Sequence, residues 1–310
     1  MAKHINKKAK KKLKIKDPKR LLIFLLLIII IIVAIKPKNS KSKDYISLII
    51  QNEDKTNILQ NDVIINNDIV YLSLDDVKKC LDPNIYVEDK KVITTSEKKV
   101  AVLEINSSFI EINGAKVEIN GQAFSAQDVI YIPISDLKNV YDIDFKFISE
   151  YKNIVIDYYS RRLEKATTTK NVSVKSEMKI FSSTVEKIKK GDEVVFISEQ
   201  NGWAKIRTNN GNIGFVKKNK LTNFVVERED FIENQDIKDT SFKIDITNKN
   251  ISNFEKRKGV IEEIFTNTLK NKKTSVKIVY SKEKELEDYQ RFAREVTAYL
   301  KECGITTVFE

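Results

Sequence analysis

Few residues in this chain could do chemistry. The 310 residues hold one histidine, His4, and it lies within a strongly basic N-terminal stretch. The remainder of the chain therefore cannot build a Ser-His-Asp or Cys-His nucleophilic site, an H-E-x-x-H zinc site or a histidine-ligated copper centre. Cys80 and Cys303 fall in what read as different domains, so no structural disulfide is expected. Paired carboxylates or an unusual Cys or Lys nucleophile are the remaining routes to catalysis. No metal site and no cofactor are expected.

The elements that would carry such residues begin with a charge pattern. The first twenty residues hold nine lysines and Arg20 against one acid, Asp17. Leu21–Ile35 comes next, fifteen residues without a polar side chain. Lys36, Lys38, Lys41 and Lys43 lie just beyond it, and from Asp44 onward 41 basic residues face 43 acids. The chain's net charge of +11 thus belongs to a membrane topogenic signal rather than to a nucleic-acid surface, and no nucleic acid is expected as a partner.

Fifteen helical residues span about 22 Å, short of the ~30 Å hydrocarbon core, and Arg20, Lys36 and Lys38 can snorkel to make up the length. A cleaved signal peptide is the competing reading. Ile32-Val33-Ala34 fails its small-residue rule, whereas Ser40-Lys41-Ser42 fits in size but would place the cut past three lysines, Lys36, Lys38 and Lys41. The sequence thus predicts a basic cytoplasmic tail over 1–20 and an uncleaved transmembrane anchor over 21–36, with everything after Lys43 outside. A long export with almost no cysteine points to a bacterial surface.

Between Asp62 and Tyr158 the sequence repeats at a spacing of sixty. Asp68-Ile69-Val70-Tyr71-Leu72-Ser73-Leu74 reads against Asp128-Val129-Ile130-Tyr131-Ile132-Pro133-Ile134, and Asp82 against Asp142. Each copy predicts a short strand, a one- to two-turn helix and two further strands, with a hairpin at Asn113-Gly114 between the copies. With Ile112-Asn113-Gly114, Tyr131–Leu137 and Ile154-Val155-Ile156 as carriers, residues 44–160 resemble the stalk-type copper amine oxidase N-terminal domain of clostridial surface proteins. The resemblance implies no copper chemistry, in keeping with the absence of histidine.

Residues 161–170 read as a polar linker. From 171 to 224 short strands alternate with Gly191-Asp192, Asn201-Gly202 and Asn210-Gly211 turns, which predicts a small barrel. Ile188–Asp192, Asn201-Gly202-Trp203-x-Lys205-Ile206-Arg207 and Gly211-x-Ile213-Gly214-Phe215-Val216 make this stretch resemble a bacterial SH3 domain, although Val172–Ser176 departs from the family's first strand. The resemblance implies recognition of peptidoglycan peptides. Trp203 and Phe215 are the candidate ligand-facing aromatics, and Trp203 has a core role as its alternative.

After a second expected linker, 225–241, residues 242–310 predict a β-α-β-α-β unit. Ser252 and Glu255 form an expected capping box, and Gly304 an expected helix stop. Phe254-x-x-Arg257, Tyr289-x-Arg291-Phe292-x-x-Glu295-Val296 and Gly304-Ile305 resemble part of a family-18 glycoside hydrolase barrel. Where the family carries its supporting aspartate and its acid, this chain has Val279 and Ser281. A serine cannot protonate a departing alkoxide, and Glu283 stands two residues beyond. Asp142-Ile143-Asp144-Phe145 likewise mimics the acidic strand motif of chitinase-like enzymes without its glutamate.

The expected fold class is α+β multidomain: one transmembrane helix, a duplicated stalk domain, an SH3-type barrel and a C-terminal β-α-β-α-β unit. The leading function is a membrane-anchored surface protein that binds or spaces at the cell wall, without catalysis of its own. Its expected partners are the cell membrane and peptidoglycan or another wall glycan or peptide. The alternatives are a family-18-like glycosidase acting on peptidoglycan or chitin, and a scaffold docking a protein partner at the membrane.

Overall fold

The structure, a computed structural model, describes residues 45–230, 243–271, 273–280 and 287–309. The chain divides into two units, Met1–Lys41 and Ser42–Glu310, and every described element belongs to the second. The expected basic tail and anchor lie outside the described residues. Among the described residues no helix is long and apolar enough to cross a membrane.

The stalk-type part opens with β1 (Ser47–Ile50) and β2 (Glu53–Asp54). Copy one is β3 (Ile64–Asn66), β4 (Ile69–Ser73), helix α1 (Leu74–Cys80), β5 (Tyr86–Glu88) and β6 (Lys91–Thr95). A hairpin extension comes next, β7 (Val100–Glu104), β8 (Phe109–Ile112) and β9 (Ala115–Glu118). Copy two is β10 (Phe124–Ala126), β11 (Val129–Pro133), a short 3-10 turn leading into α2 (Lys138–Tyr141), β12 (Ile143–Ile148) and β13 (Asn153–Tyr158). Matching two-residue turns at Asn67-Asp68 and Gln127-Asp128 take positive φ at both positions, the mirror-image geometry that suits the right-handed twist of a hairpin. Asn113-Gly114 makes the same turn between β8 and β9, as expected.

The copies meet through β4 and β11 in the sheet β10-β11-β4-β3, with Tyr71 opposite Pro133, Leu72 opposite Ile132 and Ser73 opposite Tyr131. Tyr71 is the counterpart of Tyr131 and Ser73 of Pro133, so this pairing is a local two-fold centred on Leu72 and Ile132. Equivalent carboxylates brace equivalent loops. Buried Asp76 accepts from the backbone N–H of Gln60 at 2.7 Å and of Asn61 at 3.1 Å, and Asp136 accepts from Gly121 N–H at 2.7 Å. One core spans both copies, from Leu48 and Val77 to Ile132 and Ile154. Symmetry ends at the flanks: copy one continues into the sheet β5-β6-β7-β8-β9, whereas in copy two β1 adds to β13 in parallel.

The SH3-type part comprises β14 (Leu163–Thr168), β15 (Val172–Lys175), β16 (Thr184–Ile188), β17 (Glu193–Gln200), β18 (Trp203–Thr208), β19 (Ile213–Lys217) and β20 (Leu221–Arg228). They form one seven-stranded sheet, β16-β15-β19-β18-β17-β14-β20, over a core of Ala166, Val174, Val194, Ile206 and Val216. The stretch expected as a linker over 161–170 is instead strand β14, paired with both β17 and β20. Register shifts in its pairing with β20 put Leu163, Ala166 and Thr168 inside, so the period-two signal is lost. Strand β20 likewise runs into the start of the second expected linker.

The C-terminal unit consists of β21 (Lys243–Ile246), α3 (Asn248–Ile251), α4 (Phe254–Lys270), β22 (Ser275–Tyr280), α5 (Glu287–Glu302) and β23 (Thr306–Phe309), with a parallel sheet in the order β21-β22-β23. The cap of α4 is Asn253, whose side chain accepts from Lys256 N–H, rather than the expected Ser252. Ser252 is taken up by the end of the short helix α3, which the sequence pattern did not reveal. Helices α4 and α5 pack Ile261, Ile264, Phe292 and Val296 against Val276 and Ile278 of the sheet. Their other side places Phe254 and Ala298 against Tyr86, Ile93 and Val100 of the stalk-type part. The helices are thus a middle layer between two sheets.

Candidate functional site

The SH3-type part sits on β13 of the stalk-type part. Arg207 donates from Nη1 and Nη2 to the two oxygens of Asp157, at 2.8 and 2.6 Å, and both side chains are buried. Asn153 donates to the Asn210 carbonyl at 2.6 Å and to the Asn212 side chain at 3.2 Å. Gly211, at φ +81°, stands so close to β13 that a Cβ there would come within 2.9 Å of Val155 Cγ2. Any side chain would push the two parts apart.

This docking decides where the expected ligand-facing residues lie. Along β18, Ala204 and Ile206 point into the barrel core, so Trp203, Lys205 and Arg207 share the opposite face, the one that meets the stalk-type part. Trp203 is only 7% exposed, and Lys217 Nζ sits 4.1 Å from its ring centre. It belongs neither to the core cluster of this part nor to its open surface. Phe215, half-buried on β19, lies opposite Lys205 on that same face.

The open aromatic surface lies elsewhere. Phe196 and Phe224 meet edge to face at 5.2 Å, and Lys218 Nζ lies 4.3 and 3.7 Å from their ring centres. Ile180 and the wholly exposed Phe181 project from the loop between β15 and β16. Ser182 Oγ holds that loop through the carbonyls of Glu177 and Lys179. Phe224 escaped the sequence reading because the regularity of the turns ends at Leu221. No periodic signal marks Phe181 at all.

The positions read as degenerate catalytic ones separate. Val279 is half-buried on β22, on the face away from Ile278 and the helices, while Ser281 and Glu283 lie outside the described residues. Asp142 ends α2 in a left-handed conformation, and Asp144 pairs with Lys146 at 2.9 Å. Asp144 stands opposite Asp157 across β12 and β13, and the Asp157 carboxylate is taken up by Arg207. Among the described residues no cluster of three or more His, Cys, Asp or Glu could hold a metal ion.

The residues that carried the glycosidase resemblance make a different site. Arg257, fully buried, donates to Glu295 Oε2 at 2.9 Å, to the Tyr86 hydroxyl at 2.7 Å, to Glu88 Oε2 at 3.0 Å and to the Ile251 carbonyl at 3.2 Å. Tyr86 in turn donates to Glu295 Oε1 at 2.5 Å, and Arg291 lies over the Tyr86 ring at 4.2 Å. Glu88 also accepts from Phe254 N–H at 2.5 Å, so a stalk-type carboxylate satisfies one of the orphan donors at the start of α4. Burial pushes the Tyr86 phenol far above its ordinary range, and the Glu295 carboxylate adds to the effect. Burial also raises Glu295, with Arg257 opposing it. These groups satisfy one another: their chemistry is adhesion between two folded parts. Lys91–Glu255 and Lys301–Glu97, each at 2.6 Å, line the rim, where such pairs contribute about 0–1 kcal/mol.

Residues 49–156 match the copper amine oxidase N-terminal domain, and residues 170–222 match the bacterial SH3 domain. No curated protein matches the chain. Among solved structures, NlpC2 from Trichomonas vaginalis aligns at 7% identity and a TM-score of 0.19, over 45% of this chain and 46% of that one. The chain therefore spans less than half the length of that relative.

Proposed function

We propose that this is a membrane-anchored bacterial surface protein that binds or spaces at the cell wall through its stalk-type and SH3-type parts, without catalysis of its own. The observation that carries the reading is the bacterial SH3 match over residues 170–222, on a part fixed to the stalk by a buried two-pronged ion pair. Such docking sets a distance and an orientation, which is what a spacer needs. The anchor is Leu21–Ile35 with its lysine-rich flanks, which leaves the N-terminus in the cytoplasm and the folded parts outside. Wall peptide or glycan contacts the SH3-type part at half-buried Phe215, while Trp203, only 7% exposed, is left out of that contact.

Full-length protein in mild detergent, mixed with purified sacculi and sedimented, is expected in the pellet, with Phe215→Ala weakening retention. Protein that stays in the supernatant removes the wall-binding reading. External protease on intact protoplasts is expected to remove everything after Lys43; full protection would overturn the topology.

A further inference from the structure

We propose that the stalk-type part carries a second binding site, a cleft for a short peptide bearing both free carboxylates and a free amine, where its two copies and the C-terminal unit converge. The inference deepens the wall-binding reading and rests on it for the origin of the peptide, since cell-wall stem peptides have this chemistry. Two adjoining cavities of about 350 and 300 Å³ share Ser96, Glu97, Tyr141 and Ser160 as walls. Each falls in the size range of sites that enclose small ligands.

The floor is rigid and already satisfied. Asp82, almost fully buried, accepts from Thr94 Oγ1 at 2.5 Å, from the Tyr141 hydroxyl at 3.0 Å and from Asn84 N–H at 2.8 Å. Burial, with the Asp82 charge beside it, holds the Tyr141 phenol well above its ordinary range, so the floor stays intact across physiological pH. A floor that needs no ligand to satisfy it is preorganised.

The walls carry both signs of charge. Arg161 lines one cavity, while Lys98, Lys99, Asp142 and Glu302 line the other. A neutral glycan has no charge of its own to pair with that mixture. A peptide with separated carboxylates and an amine finds a charge-assisted partner for each. Ser96 and Ser160 stand between the charged groups with hydroxyls suited to peptide amides. Four separate stretches of the chain from Leu81 to Arg161 contribute walls, and Glu302 of α5 adds to one of the two cavities.

The test titrates full-length protein calorimetrically with the synthetic peptide alanyl-γ-glutamyl-lysyl-alanine. An N-acetylated, C-amidated form and chitotetraose serve as comparison probes. Saturable binding of the free peptide is expected, with Arg161→Ala and Lys98→Ala each weakening it roughly tenfold. The blocked peptide should bind less well. Thermal melting of each variant confirms folding, and Arg161→Lys supplies a milder second change. No saturation at millimolar peptide, or binding that both variants leave unchanged, overturns the proposal. Chitotetraose binding that the same variants abolish also overturns it, by assigning the cleft to glycan. Sedimentation with sacculi reads the wall-binding function separately: pelleting without peptide binding sinks only the cleft, and peptide binding without pelleting sinks only the wall reading.

Discussion

Arg207 and Asp157 face each other as a planar, two-pronged ion pair at 2.8 and 2.6 Å, buried where the SH3-type part meets β13. Only arginine offers two parallel donors in this geometry. Removing one partner leaves the other charged in a dry seam, a change that costs about 3–5 kcal/mol. Arg207→Ala and Asp157→Ala are each expected to destabilise by that order. The double variant should lose clearly less than their sum. Urea unfolding of the four proteins gives the coupling directly, and additive losses would mean that the pair does not bind the parts together.

Gly211 and Gly202 separate backbone strain from docking. Both hold positive φ, +81° and +72°, yet a Cβ at Gly202 meets nothing within 4 Å, whereas one at Gly211 meets Val155 and Asn153. Each change to alanine costs about 1–2 kcal/mol for the left-handed backbone. Gly211→Ala should lose measurably more, and its excess should shrink once Val155 is also cut to alanine, which removes the nearest contact. Equal losses at the two glycines would contradict the close approach.

Arg257→Met is expected to loosen the C-terminal unit by about 3–5 kcal/mol, because Glu295 and Glu88 lose their shared donor. Hydrogen exchange should show new opening in β5 and β6 as well as in α4. Exchange confined to α4 would show that the network serves only the helix.

Acid should strengthen this seam at first. Burial holds the folded pKa of Glu295 above its unfolded value, so the folded state takes up the proton first. Its stabilising share is complete below the unfolded value of about 4.3 and is lost as pH rises through the folded one. The Glu255 carboxyl runs the other way: its hydrogen bond from Lys91 lowers its pKa, and its share is lost only as pH falls through that lower value. Denaturation midpoints at about pH 5 should therefore match or exceed those at pH 7, with Glu295→Gln removing the gain. A midpoint that drops on this mild acidification, and stops dropping in Glu295→Gln, would reverse the sign.

The purified chain should release no reducing ends from peptidoglycan or chitin oligosaccharides. Losing a general acid typically costs about 10²–10⁴-fold in rate. Turnover abolished by Glu283→Gln would make the protein an enzyme with a displaced acid.

Much of this architecture was legible because local pattern recorded it. The spacing of sixty between Tyr71 and Tyr131 returns as strands with the same offset, since alternation and turn residues fix short strands on their own. Strand β14 stayed hidden because bulges break its alternation. Arg257 and Glu295 stood out in the sequence as motif residues, but not as partners in a seam. Their partner Tyr86 is 171 and 209 positions away, and no local period reports a contact at that distance. Trp203 was read as core or ligand-facing. It is buried on β18 outside the barrel core, with Lys217 Nζ over its ring, a placement that the SH3-type pattern does not encode.

The parallel pairing of β1 with β13 determines how the molecule carries load. Tension on the chain ahead of Tyr45 enters β1 at Ser47, and tension on the SH3-type part leaves β13 at Tyr158. These are opposite ends of two strands running side by side, with Ser47 beside Asn153 and Ile50 beside Ile156. Pulled this way, the ladder must slide as a block, every bond strained together, instead of peeling one rung at a time. Asp157 ties the SH3-type part to that same strand. In a wall-spacing protein of the kind proposed, that parallel ladder would lie in the direct line of force.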